Sequence, residues 1–191
     1  MTKNLRWRFI TLQGILVLVL GFGAGFLNYQ SNFVKSYIHD ELVSQQISFP
    51  DRDTLVSAKT ADGSPEYTNL VIQYAGQPVD NGDKAYAYAN GFIGVHLQAV
   101  ANGQTYSQVS TAAQKDPTNA KLAAQQTTLF QGETLRSMLL NAWGWSEMAK
   151  YTFYATIVMT IGAIAMFGAL LFELFLARPA VFVAQSRRAV A

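Results

Sequence analysis

The chain has 191 residues, of which 50% are hydrophobic and 14% are charged, whereas about a quarter of the residues in soluble proteins are charged. Fourteen basic and twelve acidic residues give a net charge of +2, so there is no basic field to hold nucleic acid. The absence of cysteine excludes disulfides, thiol nucleophiles and cysteine-ligated metal or cluster sites. The composition therefore points to a membrane protein without a nucleic-acid partner.

The first element is an uncharged apolar run over residues 9–27, preceded by Lys3, Arg6 and Arg8 in the short segment 1–8. At about 1.5 Å per residue, a helix of this length just spans a hydrocarbon core of about 30 Å. A signal peptide has a similar charge pattern and small residues near its end. We expect a retained transmembrane helix.

The segment between the two apolar runs of the chain is expected to be helical. Apolar residues continue at helical spacing from Phe33 to Val43, so the first membrane helix should project beyond the bilayer as a stalk. Residues 47–60 lack clear periodicity and are interpreted as a connector. The proline after Ser64 then indicates a helix start, although the β-branched pair 71–72 leaves a strand possible.

Turn residues and an acidic cap over 79–84 predict a helix of about 17 residues, which the Asn-Gly pair at 102–103 ends. The tetrad 80–83 also resembles the start of a calcium loop but lacks the later oxygen donors, so a helix cap is the better interpretation. The residues predicted to share one face of this helix are Ala85, Ala89, Phe92, Ile93, His96 and Val100.

An Asp-Pro pair at 116–117 predicts the start of a long helix. Gly144, between two tryptophans, is expected to interrupt this helix, and Ser146 is expected to cap a new one. A second apolar run follows with no charge before Glu173, and we assign residues 152–176 to a second transmembrane helix.

Basic residues without acidic ones flank both apolar runs on their terminal sides. The positive-inside rule therefore places both termini, 1–8 and 177–191, in the cytoplasm and makes residues 28–151 an extracytoplasmic domain. The expected fold is an all-α plasma-membrane protein with two transmembrane helices flanking an extracytoplasmic helical domain. The expected membrane-interface anchors are Trp7, Trp143, Trp145, Glu173 and Arg178.

The sequence contains no recognisable catalytic constellation. His39 and His96 fall on different predicted helices without ligand spacing, so we interpret them as solvated or helix-face residues, although an iron site would need both beside a carboxylate. For Glu173 we favour anchoring at the cytoplasmic interface over a proton relay or subunit contact. No catalytic residue, metal site or cofactor is expected, and the chain is not expected to be an enzyme.

Each apolar run carries a face of small residues. Gly21 and Gly25 form a GxxxG pattern, which lets another helix approach closely. Two uses of these faces stay open, because the two spans can pack on each other or dock onto a helix of another protein. The residues of this expected helix-packing interface are Gly14, Gly21, Gly25, Gly162, Ala165 and Ala169.

Three stretches of the middle segment are informative: VKSYIHDELVSQQISFP, QYAGQPVDNGDKAYAYANGFIGVHL and the run from GQTYSQ to NAWGW. Together they resemble an actinobacterial family of two-span membrane proteins. In size and topology the chain is also similar to the respiratory supercomplex association factor of the cytochrome bcc and aa3 oxidase assembly.

This resemblance implies a non-catalytic accessory or association subunit in the respiratory electron transport chain. Its implied partners are the lipid bilayer and the cytochrome bcc and aa3 oxidase subunits, and no functional residues carry over. The alternative is a membrane-anchored extracytoplasmic enzyme or ligand-binding protein of unknown substrate.

Overall fold

The computed structural model describes residues 3–60 and 66–175, and every regular element within these ranges is a helix. An isolated antiparallel bridge joins Ser48 to Pro78. The prediction of an all-helical fold is confirmed for these residues. The elements are α1 (Lys3–Ser44), α2 (Arg52–Ser57), α3 (Asn69–Ile72), α4 (Gly82–Ala87), a π-helical segment (Tyr88–Ile93), α5 (Gly94–Ala101), α6 (Tyr106–Lys115) and α7 (Ala120–Phe175).

Helices α1 and α7 are each long and apolar enough to cross a membrane. Only 6% of the most apolar window of either helix is buried in the chain, so these windows present apolar surface outward. The chain divides into two compact units. We call residues 3–31 with 151–175 the span pair, and residues 32–150 the helical domain.

The helical domain has its own apolar core. Leu55, Val71 and Val109 are fully buried, and the ring of Phe49 lies near two tyrosine rings, with centroid distances of 5.6 and 5.2 Å. Fully burying a side chain such as Leu or Val contributes about 1.5–3 kcal/mol. These side chains come from several short elements, so the core holds the short elements together.

The helix predicted after residue 79 is present, but its cap is an asparagine amide rather than the expected acidic side chain. The side chain of Asn81 accepts a hydrogen bond from the main-chain N–H of Lys84 at 3.0 Å. The ammonium group of Lys84 pairs with the carboxylate of Asp80 at 3.0 Å. At the far end, Asn102 and Gly103 adopt φ angles of +52° and +76°, as expected for a helix stop.

The predicted buried face of this helix is wrong in its second half. His96 is exposed and Val100 is partly exposed, whereas Leu97 and Ala101 are buried. The cause is the π-helical segment, in which the N–H of Gly94 bonds to the carbonyl five residues earlier. A π-helical turn holds more residues than an α-helical turn, so the core-facing positions move one residue along the chain.

Three other elements of the helical domain differ from the expectation. Residues predicted as connector contain α2, because Asp51 caps it by accepting a hydrogen bond from the N–H of Thr54 at 2.7 Å. The pair 71–72 lies in α3 rather than in a strand. The predicted start of the long helix at the Asp116-Pro117 pair is wrong: α7 begins at Ala120, because the side chain of Asn119 caps it by accepting a hydrogen bond from the N–H of Leu122 at 3.2 Å.

The expected interruption at Gly144 is wrong, since α7 continues through this residue. Ser146, the expected new cap, instead lies against Gly82, where an added Cβ atom would overlap it. The ring of Trp143 lies 4.8 Å from the ring of Tyr86. A helical glycine costs about 1 kcal/mol relative to alanine, which is too little to break a helix held by this packing.

Candidate functional site

One side-chain contact between the two helices of the span pair is made at a glycine. A Cβ atom on Gly23 would overlap the methyl group of Met159 and lie 3.4 Å from its Sδ atom. A Cβ atom on Gly162 would lie 3.8 Å from Cδ1 of Leu20. Gly23 was not part of the expected packing face, whereas Gly162 was.

The other glycines of the expected face leave space beside them. No atom lies within 4 Å of an added Cβ atom on Gly14, Gly21 or Gly25, and Ala165 and Ala169 are exposed. The close contact within the span pair is therefore not made at Gly14, Gly21 or Gly25. Their use by a helix of another protein stays a prediction.

Gly21 and Gly25 border a groove of about 460 Å³ on the span pair, which we call the span groove. Its α7 wall includes Thr156 and Thr160, whose hydroxyl groups donate to main-chain carbonyls one turn earlier at 3.1 and 2.8 Å. Asn28 adds an exposed amide to the α1 wall. The span groove thus combines small side chains with one amide, and both features recur where membrane helices pack together.

A hydrogen bond joins the two helices of the span pair near their cytoplasm-assigned end. The guanidinium group of Arg6 donates a hydrogen bond to the main-chain carbonyl of Glu173. The Nε atom of Arg6, the Oε2 atom of Glu173 and the Oε1 atom of Gln13 are buried without a hydrogen-bond partner. A water molecule or another polar group would remove the cost of about 1–3 kcal/mol that a buried unsatisfied polar group carries.

The expected membrane-interface anchors differ in their surroundings. Trp7 and Trp145 are both more than half exposed. Trp143 is half-buried against Tyr86 and therefore packs within the helical domain. Arg178 lies outside the described residues.

The two histidines lie on different helices and are both exposed. The Nδ1 atom of His39, on α1, lies 2.9 Å from the main-chain oxygen of Asp80, and His96 lies on α5. Within residues 3–60 and 66–175, no group of three or more histidine, aspartate or glutamate side chains could hold a metal ion. The described geometry therefore does not bring these histidines together.

A charged cluster lies at the C-terminal end of the helical domain. The ammonium group of Lys150 pairs with Asp83 at 2.7 Å and with Glu147 at 2.6 Å. The hydrogen bond to Asp83, followed by that to Glu147, raises the pKa of Lys150 from 10.5 to about 12. The cluster ties α7 to the start of α4.

No protein family, curated protein or solved structure matches this chain. Over residues 3–60 and 66–175, the structure defines the class of the protein: it is helical, with two helices long and apolar enough to span a membrane.

Proposed function

We propose that this chain is a non-catalytic accessory or association subunit of a larger membrane complex. The observation that carries the proposal is the span groove, whose small-residue wall at Gly21 and Gly25 no side chain of the described chain fills. Small residues let membrane helices pack closely, and interhelical hydrogen bonds add to the attraction. A helix of another subunit is the occupant that would use both properties.

The apolar surface around the span groove supports the same proposal. Large side chains such as Leu18, Phe22 and Val158 point away from the rest of the chain. Lipid tails and apolar helices of other subunits both suit such a surface. In this proposal the lipid bilayer covers part of the span pair and a partner helix covers the groove.

The proposal includes a topology and a partner. Both termini lie in the cytoplasm and the helical domain lies outside the plasma membrane, as the distribution of basic residues favours. The sequence resemblance favours the actinobacterial respiratory bcc-aa3 supercomplex as the larger complex. The chain would then add a docking surface to the electron transport chain without carrying an electron itself.

The test is to replace Gly21 and Gly25 together with isoleucine and to measure co-purification of cytochrome bcc and aa3 oxidase subunits in mild detergent. Gly23 is left intact so that the span pair still packs. Each isoleucine would push the close-packed partner helix outward, and a loss of about 1.4 kcal/mol is enough to reduce co-purification about tenfold. Gly168→Ile is the matched control, because it also has open space around it but lies outside the groove lining.

Equal co-purification of the G21I/G25I and G168I variants would contradict the role of the span groove. Absence of cytochrome subunits from the wild-type preparation would contradict the respiratory partner. In that case, mass spectrometry of the wild-type preparation would still test for another membrane complex.

One observation favours the alternative of a ligand-binding protein. A cleft of about 330 Å³ in the helical domain is lined by Arg136, Glu133 and Asn90. The guanidinium group of Arg136 donates to Asn90 at 2.8 Å and to Glu133 at 3.3 Å. Asn90 belongs to the π-helical segment, and such segments are frequent at functional sites.

Native mass spectrometry tests this second function. A polar small molecule that the wild-type chain retains, and that Arg136→Gln loses, would favour ligand binding. Unmodified mass in both proteins would leave the accessory function as the better account.

A further inference from the structure

The helical domain carries a second groove, of about 480 Å³, between α1 and α7. We call it the domain groove. Buried Leu42 and Leu139 lie in its lining, so it is continuous with the core of the domain. Its residues all belong to the helical domain, and the span groove lies elsewhere.

Three large side chains border the domain groove without being covered. Tyr37, Met138 and Trp145 are 58%, 63% and 57% exposed. Exposed apolar patches with a polar rim mark interaction sites, and tryptophan and tyrosine are the side chains that most often dominate binding energies. The domain groove therefore has the composition of a binding surface.

The length of the domain groove fits a helix. Its lining residues run from Val34 to Leu42 on α1, continue to Gln45 just after the end of α1, and run from Leu135 to Trp145 on α7. Each run is about three helical turns, or about 16–18 Å at 1.5 Å per residue. A third helix laid between them would place side chains at i, i+3 or i+4 and i+7 into the groove, the pattern by which amphipathic helices bind apolar grooves.

The negative charge in the lining of the domain groove favours a partner with a basic side chain. Glu41 is the one charged residue in its lining, and Gln45 and Asn141 are the polar ones. A lipid chain would leave this carboxylate without a counter-charge. An apolar helix with a lysine or arginine beside its apolar face would supply one, and complementary charge steers association and fixes register.

We propose that the domain groove binds an amphipathic helical segment of a partner protein, with a basic side chain of that segment placed against Glu41. This inference rests on the proposed accessory function, but it concerns a surface separate from the span groove. An experiment can therefore contradict the inference about the domain groove without contradicting the proposed function, and the reverse.

The experiment uses the absence of cysteine from the chain, which makes a single introduced thiol unique. In membranes from cells that make the full chain, we expect Met138→Cys to react with a maleimide about tenfold more slowly than in purified protein. Such protection corresponds to a site that is about nine-tenths occupied. Ala124→Cys, exposed on the same helix but outside the groove lining, should react at the same rate in both preparations.

Charge reversal identifies the occupant. Adding Glu41→Lys to M138C should restore fast labelling in membranes, because the partner's basic side chain would then face a lysine. A benzophenone attached to the thiol of M138C should cross-link to a peptide with an apolar helical repeat and a lysine or arginine. Circular dichroism of purified M138C with Glu41→Lys controls for folding, which this exposed position should not disturb.

Three results would overturn the inference. Equal labelling of M138C in membranes and in purified protein would show that the domain groove is empty. Protection that persists after purification and increases with protein concentration would identify a second copy of this chain. Protection that Glu41→Lys leaves unchanged, without a cross-linked polypeptide, would identify an uncharged lipid chain. A loss of co-purification in G21I/G25I with unchanged protection of M138C would separate the two grooves.

Discussion

Replacing Gly144 of α7 with alanine is expected to stabilise the chain, whereas the same change at Gly132 of α7 is not. Alanine is favoured over glycine in a helix interior by about 1 kcal/mol. No atom lies within 4 Å of an added Cβ atom on Gly144, so the G144A variant should gain this full amount. For a chain of this size the gain corresponds to a rise of about 2–4 °C in Tm.

The surroundings of Gly132 cancel or reverse this gain in stability. An added Cβ atom would overlap Cδ2 of Leu97 and lie 2.9 and 3.0 Å from its Cδ1 and Cγ atoms. Leu97 is only 4% exposed, so its side chain has little free space into which it could move. Overpacking of this kind costs about 1–3 kcal/mol, which offsets or exceeds the helix gain. We expect G132A to be less stable than G144A by about 1–3 kcal/mol.

Thermal unfolding of the purified chain in one detergent, followed by circular dichroism, measures both variants against the wild type. G132V should be less stable than G132A, because its branched side chain would require a larger shift of Leu97. A G132A variant as stable as G144A would refute the argument that Leu97 blocks this position. A G144A variant less stable than the wild type would show that α7 requires glycine at this position, which is the result expected if the helix were interrupted there.

Three further predictions concern topology, metal binding and pH. An alkaline phosphatase fusion after Arg188 should be inactive because we place the C-terminus in the cytoplasm, and an active fusion would contradict that topology. Replacing His39 and His96 together with glutamine should leave membrane abundance and partner binding unchanged, whereas stoichiometric iron, copper or zinc lost in this variant would contradict the non-enzymatic function. The pKa of Lys150 is raised to about 12, so the stability from its ion pairs is fully present below about pH 10.5 and is lost as the pH rises through 12. Because this side chain is partly exposed, K150M should cost less than about 1 kcal/mol at neutral pH and should abolish that alkaline loss, as chemical unfolding across this pH range would show.

Features set by neighbouring residues in the chain could be predicted from the sequence. The helix start within residues 79–84 and the helix stop at Asn102 follow from side-chain chemistry within one turn. The two apolar helices follow from the composition of a single stretch each. In such cases the sequence of the segment itself determines the structure, whatever packs against the segment.

Features that depend on distant residues could not be predicted in this way. Gly144 does not interrupt α7 because its neighbours Trp143 and Ser146 pack against α4, which is far away in the sequence. The close approach at Gly23 depends on Met159 of the other helix. The pattern of small residues indicated that helices pack there, but the pattern alone did not determine which glycine faces which partner.

The π-helical segment Tyr88–Ile93 makes the core of the helical domain tolerant of a change in chain length. The π-helical turn holds one residue more than an α-helical turn would. Ala85, which precedes the π-helical segment, and Leu97, which follows it, are nevertheless both buried. A chain one residue shorter in this segment could form an uninterrupted α-helix and bury the same side chains. It would lose the position of Asn90 beside Arg136. Insertion and deletion at this turn could therefore reshape the polar cleft while leaving the hydrophobic core in register.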